Sequence, residues 1–166
     1  MGKRKVSYQP KAFETSGKNS FTSIYGDMLA SEAFRDLTDR QKVLYLYAKS
    51  RYYGQTTKAK ERLFQAFTDL TLPGDISTFF SLTAGNVTKD FGLYDKNHLS
   101  YFYRDLAELI RHGFIRCVAC GAKGKVASIY QYSDKWKKWG TDDFRIERGE
   151  MTSAMQKRLD SEMDSS

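Results

Sequence analysis

The stretch from residue 78 to residue 133 most constrains the fold, because β-favouring runs and helical patterns alternate there in a fixed order. Residues 78–82 form an aromatic, β-favouring run, which predicts a short edge strand. Residues 84–91 predict a short helix, for which Thr83 is a suitable N-cap and Gly92 a suitable C-terminal stop. The pattern therefore predicts a strand followed by the first helix of a pair.

A second, longer helix is predicted over residues 97–112, and Gly113 should end it. Its apolar residues recur at the spacing of one buried helix face: Leu99, Phe102, Leu106, Leu109 and Ile110. At about 100° per residue, the opposite face carries mostly polar side chains: Asn97, Ser100, Tyr101, Arg104, Glu108 and Arg111. We therefore expect this second face to be exposed and able to contact bases or phosphates.

Two further β-favouring runs, residues 114–118 and 126–133, predict a hairpin. Its connecting loop carries Lys123 and Lys125 beside two glycines. Two ammonium groups on a small projection suit contact with a phosphate backbone, and a solvated hairpin tip has the same composition. Strand, helix, helix and hairpin in this order are the parts of a winged helix-turn-helix domain, with the hairpin as the wing.

The chain before this stretch predicts three more helical segments. Residues 38–41 have the T-x-x-Q form of a capping box, so the first helix of the winged domain should begin there and end at Gly54. Apolar spacing over residues 21–34 predicts a segment that packs on the core. For an inserted helix over residues 58–67 we expect core packing, with a lid or a dimer contact as alternatives. A further alternative is a basic surface made by three side chains: Lys58, Lys60 and Arg62.

We therefore predict an α+β, mainly helical fold: a winged helix-turn-helix with extra N-terminal and inserted helices. A flexible basic arm over residues 1–20 can follow a DNA groove or serve as a solubilising tail. The winged-helix domain covers residues 21–140, with its wing at about 114–133, and a partly helical or disordered tail covers residues 141–166. Trp136 and Trp139 should pack against the domain rather than stack on nucleic acid.

Composition favours a polyanionic partner. The chain has 27 Lys and Arg against 20 Asp and Glu, a net charge of +7 and a pI near 9.3. Its length indicates one domain, and it has neither an apolar run long enough for a membrane span nor the apolar region of a signal peptide. We therefore expect a soluble, cytoplasmic protein without a membrane partner.

The residue types that carry catalysis are scarce, so we expect no enzymatic activity, metal or cofactor. His98 and His112 are the only histidines and should lie at opposite ends of one helix, where they cannot form a close ligand pair. No glycine-rich phosphate-binding motif occurs. Cys117 and Cys120 supply only two of the four ligands of a structural zinc site, so reduced thiols are expected, with zinc shared across a dimer as the alternative.

The sequence resembles the winged-helix domain of replication initiators from plasmids of Gram-positive bacteria, which has relatives on conjugative elements and phages. The resemblance spans residues 21–139 and rests on four runs: LTDRQKVLY at 37–45, FFSL at 79–82, FYRDLAELIRHGFI at 102–115 and IY at 129–130. It implies sequence-specific binding of double-stranded DNA in replication initiation, DNA transfer or transcriptional control. A second copy of the chain, or replication or transfer proteins, would be further partners.

The predicted contacts follow from the winged-helix interpretation. Four side chains would enter the major groove: Asn97, Ser100, Tyr101 and Arg104. The others would hold phosphates or flank the groove: Lys89, Lys96, Arg111, Lys123 and Lys125. Two alternatives remain, a protein-docking module and a single-strand binder that stacks bases on Tyr101, Tyr103 and Trp136.

Overall fold

A computed structural model describes residues 22–122 and 124–164 of the chain. The fold is α+β, with helices packed around one small antiparallel sheet. The expected basic arm over residues 1–20 and the candidate contact Lys123 lie outside the described residues. Within the described part, no helix has both the length and the apolar character needed to cross a membrane.

The N-terminal segment forms two short helices instead of one, α1 (Gly26–Ala30) and α2 (Glu32–Asp36). Ser31 separates them because its backbone is extended, and its hydroxyl accepts a hydrogen bond from the Phe34 amide at 3.2 Å. The predicted packing on the core is confirmed, because Met28 of α1 and Ala33 and Phe34 of α2 are buried in the main core. Three other large apolar side chains of the segment are exposed: Ile24, Tyr25 and Leu29.

The predicted capping box starts α3 (Asp39–Gly54). The Thr38 hydroxyl accepts from the Gln41 amide, and the Gln41 side-chain oxygen accepts from the Thr38 amide at 2.9 Å. The helix ends at Gly54, as the sequence predicts. Its buried apolar side chains form one wall of the main core: Leu44, Tyr45 and Ala48.

The inserted helix, α4 (Thr57–Gln65), packs in a second, smaller core. The alternative that made it a basic surface is wrong for Lys60, whose side chain is 2% exposed. Its ammonium donates to the carbonyls of Tyr52 at 3.2 Å and Ser77 at 2.6 Å. Burial lowers the pKa of Lys60. Lysine side chains are usually exposed, but the buried Lys60 joins α4 to two other segments.

The sheet contains three short antiparallel strands: β1 (Phe79–Phe80), β2 (Ile115–Ala119) and β3 (Ile129–Tyr132). β3 lies in the centre, because it pairs with β1 on one side and with β2 on the other. The register between β2 and β3 shifts between Cys117 and Ala119. The predicted edge strand and hairpin are thus confirmed, with β1 and β3 shorter than the sequence runs and β2 displaced by one residue.

Between β1 and β2 the chain forms the expected pair of helical segments. The first is a π-helical turn (Asn86–Asp90), which the Thr83 hydroxyl caps by accepting from the Asn86 amide at 3.3 Å. A 3₁₀ turn (Lys96–His98) leads into the second, α5 (Leu99–Arg111). Gly92 and Gly113 follow the two segments with φ of +62° and +78°, where glycine is favoured.

The two tryptophans pack on the domain, as predicted. Trp136 stacks on Phe114 with ring centroids 5.9 Å apart, and Trp139 stacks on His112 at 4.9 Å. Gly113 is required for this approach, because a Cβ there would lie 2.6 Å from the Trp136 amide nitrogen. Both indoles are therefore part of the packed structure.

The C-terminal part ends in α6 (Ser153–Asp164), which follows a 3₁₀ turn (Arg148–Glu150). The Glu150 carboxylate is buried, accepts from the Lys135 ammonium at 2.5 Å and lies 3.7 Å from the Arg116 guanidinium. These pairs fix the segment before α6 against β2. The tail expected to be partly helical or disordered is thus helical over α6.

Lys60→Met should lower the free energy of unfolding by about 1–3 kcal/mol, because the carbonyls of Tyr52 and Ser77 lose their donor while the aliphatic stem is kept. Urea denaturation measures the change. Lys58→Met, the same substitution at an exposed position of α4, is the matched control and should leave stability nearly unchanged. Equal stability of the two variants would contradict this role for Lys60.

Candidate nucleic-acid interface

Helix α5 has the two faces that its sequence predicts. On its apolar face, four side chains are buried in the main core: Phe102, Leu106, Leu109 and Ile110. Leu99, on the same face, is half-buried. The polar face is exposed at Ser100, Tyr101, Arg104 and Arg111, with Glu108 half-buried. The helix begins at Leu99 instead of residue 97, so Asn97 is exposed in the 3₁₀ turn before it. The exposed polar face is therefore open to a ligand over most of its length.

One acidic residue lies among the buried residues of α5. The Asp105 side chain is 1% exposed, and its carboxylate accepts three hydrogen bonds. The donors are Gln41 Nε2 at 3.1 Å, the Tyr94 hydroxyl at 2.9 Å and Arg40 Nε at 2.5 Å. The hydrogen bond to Asp105 raises the pKa of Arg40, and burial raises the pKa of Tyr94. Asp105 therefore joins α5 to the start of α3 and to the segment before α5.

The side chain of Arg40 contacts both Asp105 and the exposed polar face of α5. Its guanidinium carbon lies 5.2 Å from the ring centroid of Tyr101, and the guanidinium carbon of Arg104 lies 4.9 Å from the same centroid. The Arg40 side chain is 38% exposed. We refer to Arg40, Tyr101 and Arg104 together as the basic–aromatic cluster. Two positive charges from different helices thus meet over one tyrosine ring.

The sequence patterns do not indicate Arg40 as a site residue, because it lies within the capping box that starts α3. The only signal was indirect: Asp105 falls on the buried side of a strongly amphipathic helix, and a buried carboxylate requires a charged or hydrogen-bonding partner. Nothing in the spacing indicates that this partner is Arg40, which precedes Asp105 by 65 residues.

The remaining candidate contacts lie on separate elements. Lys89 is exposed in the π-helical turn, and Lys96 is exposed in the 3₁₀ turn beside Asn97. Asp95 fixes the 3₁₀ turn, because its carboxylate accepts from the Asn97 amide at 2.7 Å. Lys125 is exposed in the hairpin loop with φ of +54°. Cations therefore lie on the two turns that precede α5 and on the hairpin loop that follows β2.

Arg111 differs from the other candidates because it already has a partner. Its guanidinium donates to Glu108 at 3.2 Å, and the same carboxylate lies 3.8 Å from His112 Nδ1. Phe144 and Met155, from the C-terminal part of the chain, line a groove with this end of α5. The open part of the polar face is thus its N-terminal half, with Arg111 at the margin.

No group of three or more His, Cys, Asp or Glu side chains within residues 22–122 and 124–164 could hold a metal ion. His98 and His112 flank opposite ends of α5, as predicted. Cys117 and Cys120 are both free thiols. Burial raises the pKa of Cys117 to about 12. Burial acts in the same direction on Cys120, but hydrogen bonds from Ser153 and from the backbone outweigh it and lower the pKa of that thiol.

Comparisons with known proteins identify no family for this chain. No protein-family model matches its sequence, no curated protein matches it, and no solved structure matches its fold. The role of the polar face of α5 is therefore argued from the chemistry of its residues.

Asp105→Asn should lower the free energy of unfolding by about 2–4 kcal/mol, because the new amide cannot accept from Arg40, Gln41 and Tyr94 together. Chemical denaturation measures the loss, with wild type and variant compared at the same dependence of the free energy of unfolding on denaturant concentration. Glu108→Gln, the equivalent change on the solvent side of α5, should cost less than about 1 kcal/mol. An Asp105→Asn variant as stable as the Glu108→Gln variant would rule out the carboxylate as a structural link.

Proposed function

We propose that this chain is a non-enzymatic, sequence-specific double-stranded DNA-binding protein with a winged-helix architecture. The order of elements supports this proposal: α3, β1, the π-helical turn, α5, β2 and β3 run as helix, strand, helix, helix, strand, strand, with α4 inserted between α3 and β1. The sheet order β1-β3-β2 makes the last two strands a hairpin that follows α5 directly. In this architecture α5 is the recognition helix and the hairpin is the wing.

The observation that carries the proposal is the exposed N-terminal half of the polar face of α5. Recognition helices contact base edges in the major groove with their N-terminal residues. Here Asn97, Ser100 and Arg104 are exposed at that end. Arginine pairs with the O6 and N7 atoms of guanine, and asparagine pairs with the N6 and N7 atoms of adenine. This end of α5 therefore has the side chains that read sequence.

The basic–aromatic cluster prepares Arg104 for that role. Its guanidinium lies over the Tyr101 ring, which restricts the side chain before any ligand arrives. A restrained side chain loses less entropy on binding, so more of the contact energy appears as affinity. Arg40 adds a second positive charge to the same surface, and its bond to Asp105 fixes its position.

Contacts to phosphates would supply affinity that is independent of sequence. Lys89, Lys96 and Lys125 are exposed on elements that flank the recognition helix in sequence. The overall charge of +7 favours binding to a polyanion through counterion release. From the sequence, Lys123 and the basic arm would be further phosphate contacts, and Arg111 would lie at the margin of these contacts.

The cluster also favours duplex DNA over a single strand. A single-strand binder would stack a base on the ring of Tyr101. Two guanidinium groups already contact that ring, so a base would compete with them for a side chain that is 43% exposed. Of the other two stacking candidates, Trp136 is itself stacked on Phe114, and Tyr103 is exposed. The resemblance to plasmid initiators supports a role in the replication, transfer or transcriptional control of a mobile element.

Fluorescence anisotropy with labelled DNA from the neighbourhood of the gene tests the proposal. We expect tight binding to the native duplex, weaker binding to a scrambled duplex and to single strands, and a steep loss of affinity with salt. Absence of duplex binding at moderate salt would overturn the proposal and leave a protein-docking role.

Arg104→Ala should weaken binding to the preferred duplex by about 1–3 kcal/mol and relax the preference at one base pair. Anisotropy measurements on duplexes substituted at each position in turn locate that base pair. Lys58→Ala removes one exposed charge from α4, outside the proposed interface, and is the control. If Arg104→Ala keeps the wild-type preference at every position, Arg104 does not read a base.

Lys125→Gln should weaken binding to native and scrambled duplexes alike, because a phosphate contact carries no sequence information. The slope of log affinity against log salt concentration should fall by about 1. Affinity measured across a salt series gives both quantities. An unchanged slope would mean that the hairpin loop does not contact the DNA backbone.

A further inference from the structure

A groove of about 320 Å³ lies between the C-terminal half of α5 and the segment that leads into α6. Its volume is at the small end of the range for ligand pockets. Its lining is mostly apolar on the side of the C-terminal segment: Phe144, Ile146, Met151 and Met155. Ile146 and Met155 also pack against the main core, so part of the lining is held by the fold. Methionine side chains adapt readily to apolar ligands of different shapes.

Two guanidinium groups accompany this apolar lining. Arg111 belongs to α5, and Arg158 belongs to α6. Arg111 uses one donor for Glu108 at 3.2 Å, which leaves other guanidinium N–H groups for a ligand. Arg158 is exposed and forms no ion pair with a described side chain. Glu108 also lines the groove, so its carboxylate balances one of the two guanidinium groups and one excess positive charge lies next to the apolar surface.

We propose that this groove binds a small amphipathic anion: a carboxylate that carries one unbranched apolar chain. The chain would lie against Phe144 and Met155, and the carboxylate would bind the Arg158 guanidinium. Arginine donates two parallel hydrogen bonds to a carboxylate, which sets the orientation of the ligand. This site shares Arg111 with the margin of the proposed DNA contacts, but Arg158, which would bind the carboxylate, is not one of those contacts.

Isothermal titration calorimetry with octanoate and with 1-octanol tests the charge requirement on the full chain. We expect octanoate to bind, and 1-octanol to bind about tenfold more weakly because it lacks the charge. Arg158→Glu should weaken octanoate binding by about tenfold or more and leave 1-octanol binding unchanged. Lys157→Glu makes the same charge change at the neighbouring exposed residue, which does not line the groove, and should have less than about a twofold effect.

A second variant tests the place of binding. Ala107 belongs to the α5 wall, so Ala107→Trp should fill the groove and abolish binding of both compounds, while circular dichroism verifies that the helices are retained. Three results would overturn the proposal. They are no octanoate binding to the wild-type chain, equal weakening by Arg158→Glu and Lys157→Glu, and self-association of the chain without octanoate uptake.

Discussion

The arrangement of the helices depends on the hydrogen bonds that the buried carboxylate of Asp105 accepts. A charge in that position is stable only while its three donors remain in place. One of them, Gln41, also closes the capping box that starts α3. The first turn of α3 is thus linked to α5 through a single side chain. Arg40, the next donor, is fixed by the same carboxylate and reaches the exposed surface.

Local sequence patterns predicted much of the fold but did not predict the long-range contacts. The capping box at Thr38, the two faces of α5 and the stop at Gly113 each depend on residues a few positions apart, which periodicity and turn chemistry describe. The contact of Arg40 with Asp105 joins residues far apart in sequence. Likewise, a basic surface through Lys60 remained an alternative in the sequence, because the carbonyls that bind its ammonium lie on other segments.

The inserted helix α4 covers one face of β1, and the small size of the sheet explains why this cover matters. A strand as short as β1 has few ladder hydrogen bonds and gains its stability from packing. Phe80 packs in the main core, whereas Phe79 packs in the second core with Phe64 of α4 at 5.2 Å between ring centroids. Both faces of β1 are therefore covered. Lys60 reinforces this cover, because it binds the Ser77 carbonyl just before the strand.

The two halves of α5 differ because its charges are distributed unevenly along its length. At its C-terminal half Glu108 balances Arg111, and the C-terminal segment lies alongside. At its N-terminal half Arg104 contacts an aromatic ring and forms no ion pair among the described residues. A free guanidinium attracts an anion more strongly than one already paired with a carboxylate. The unpaired charge therefore lies at the end of the helix where a recognition helix contacts bases, and the balanced pair lies at the end that the chain itself covers.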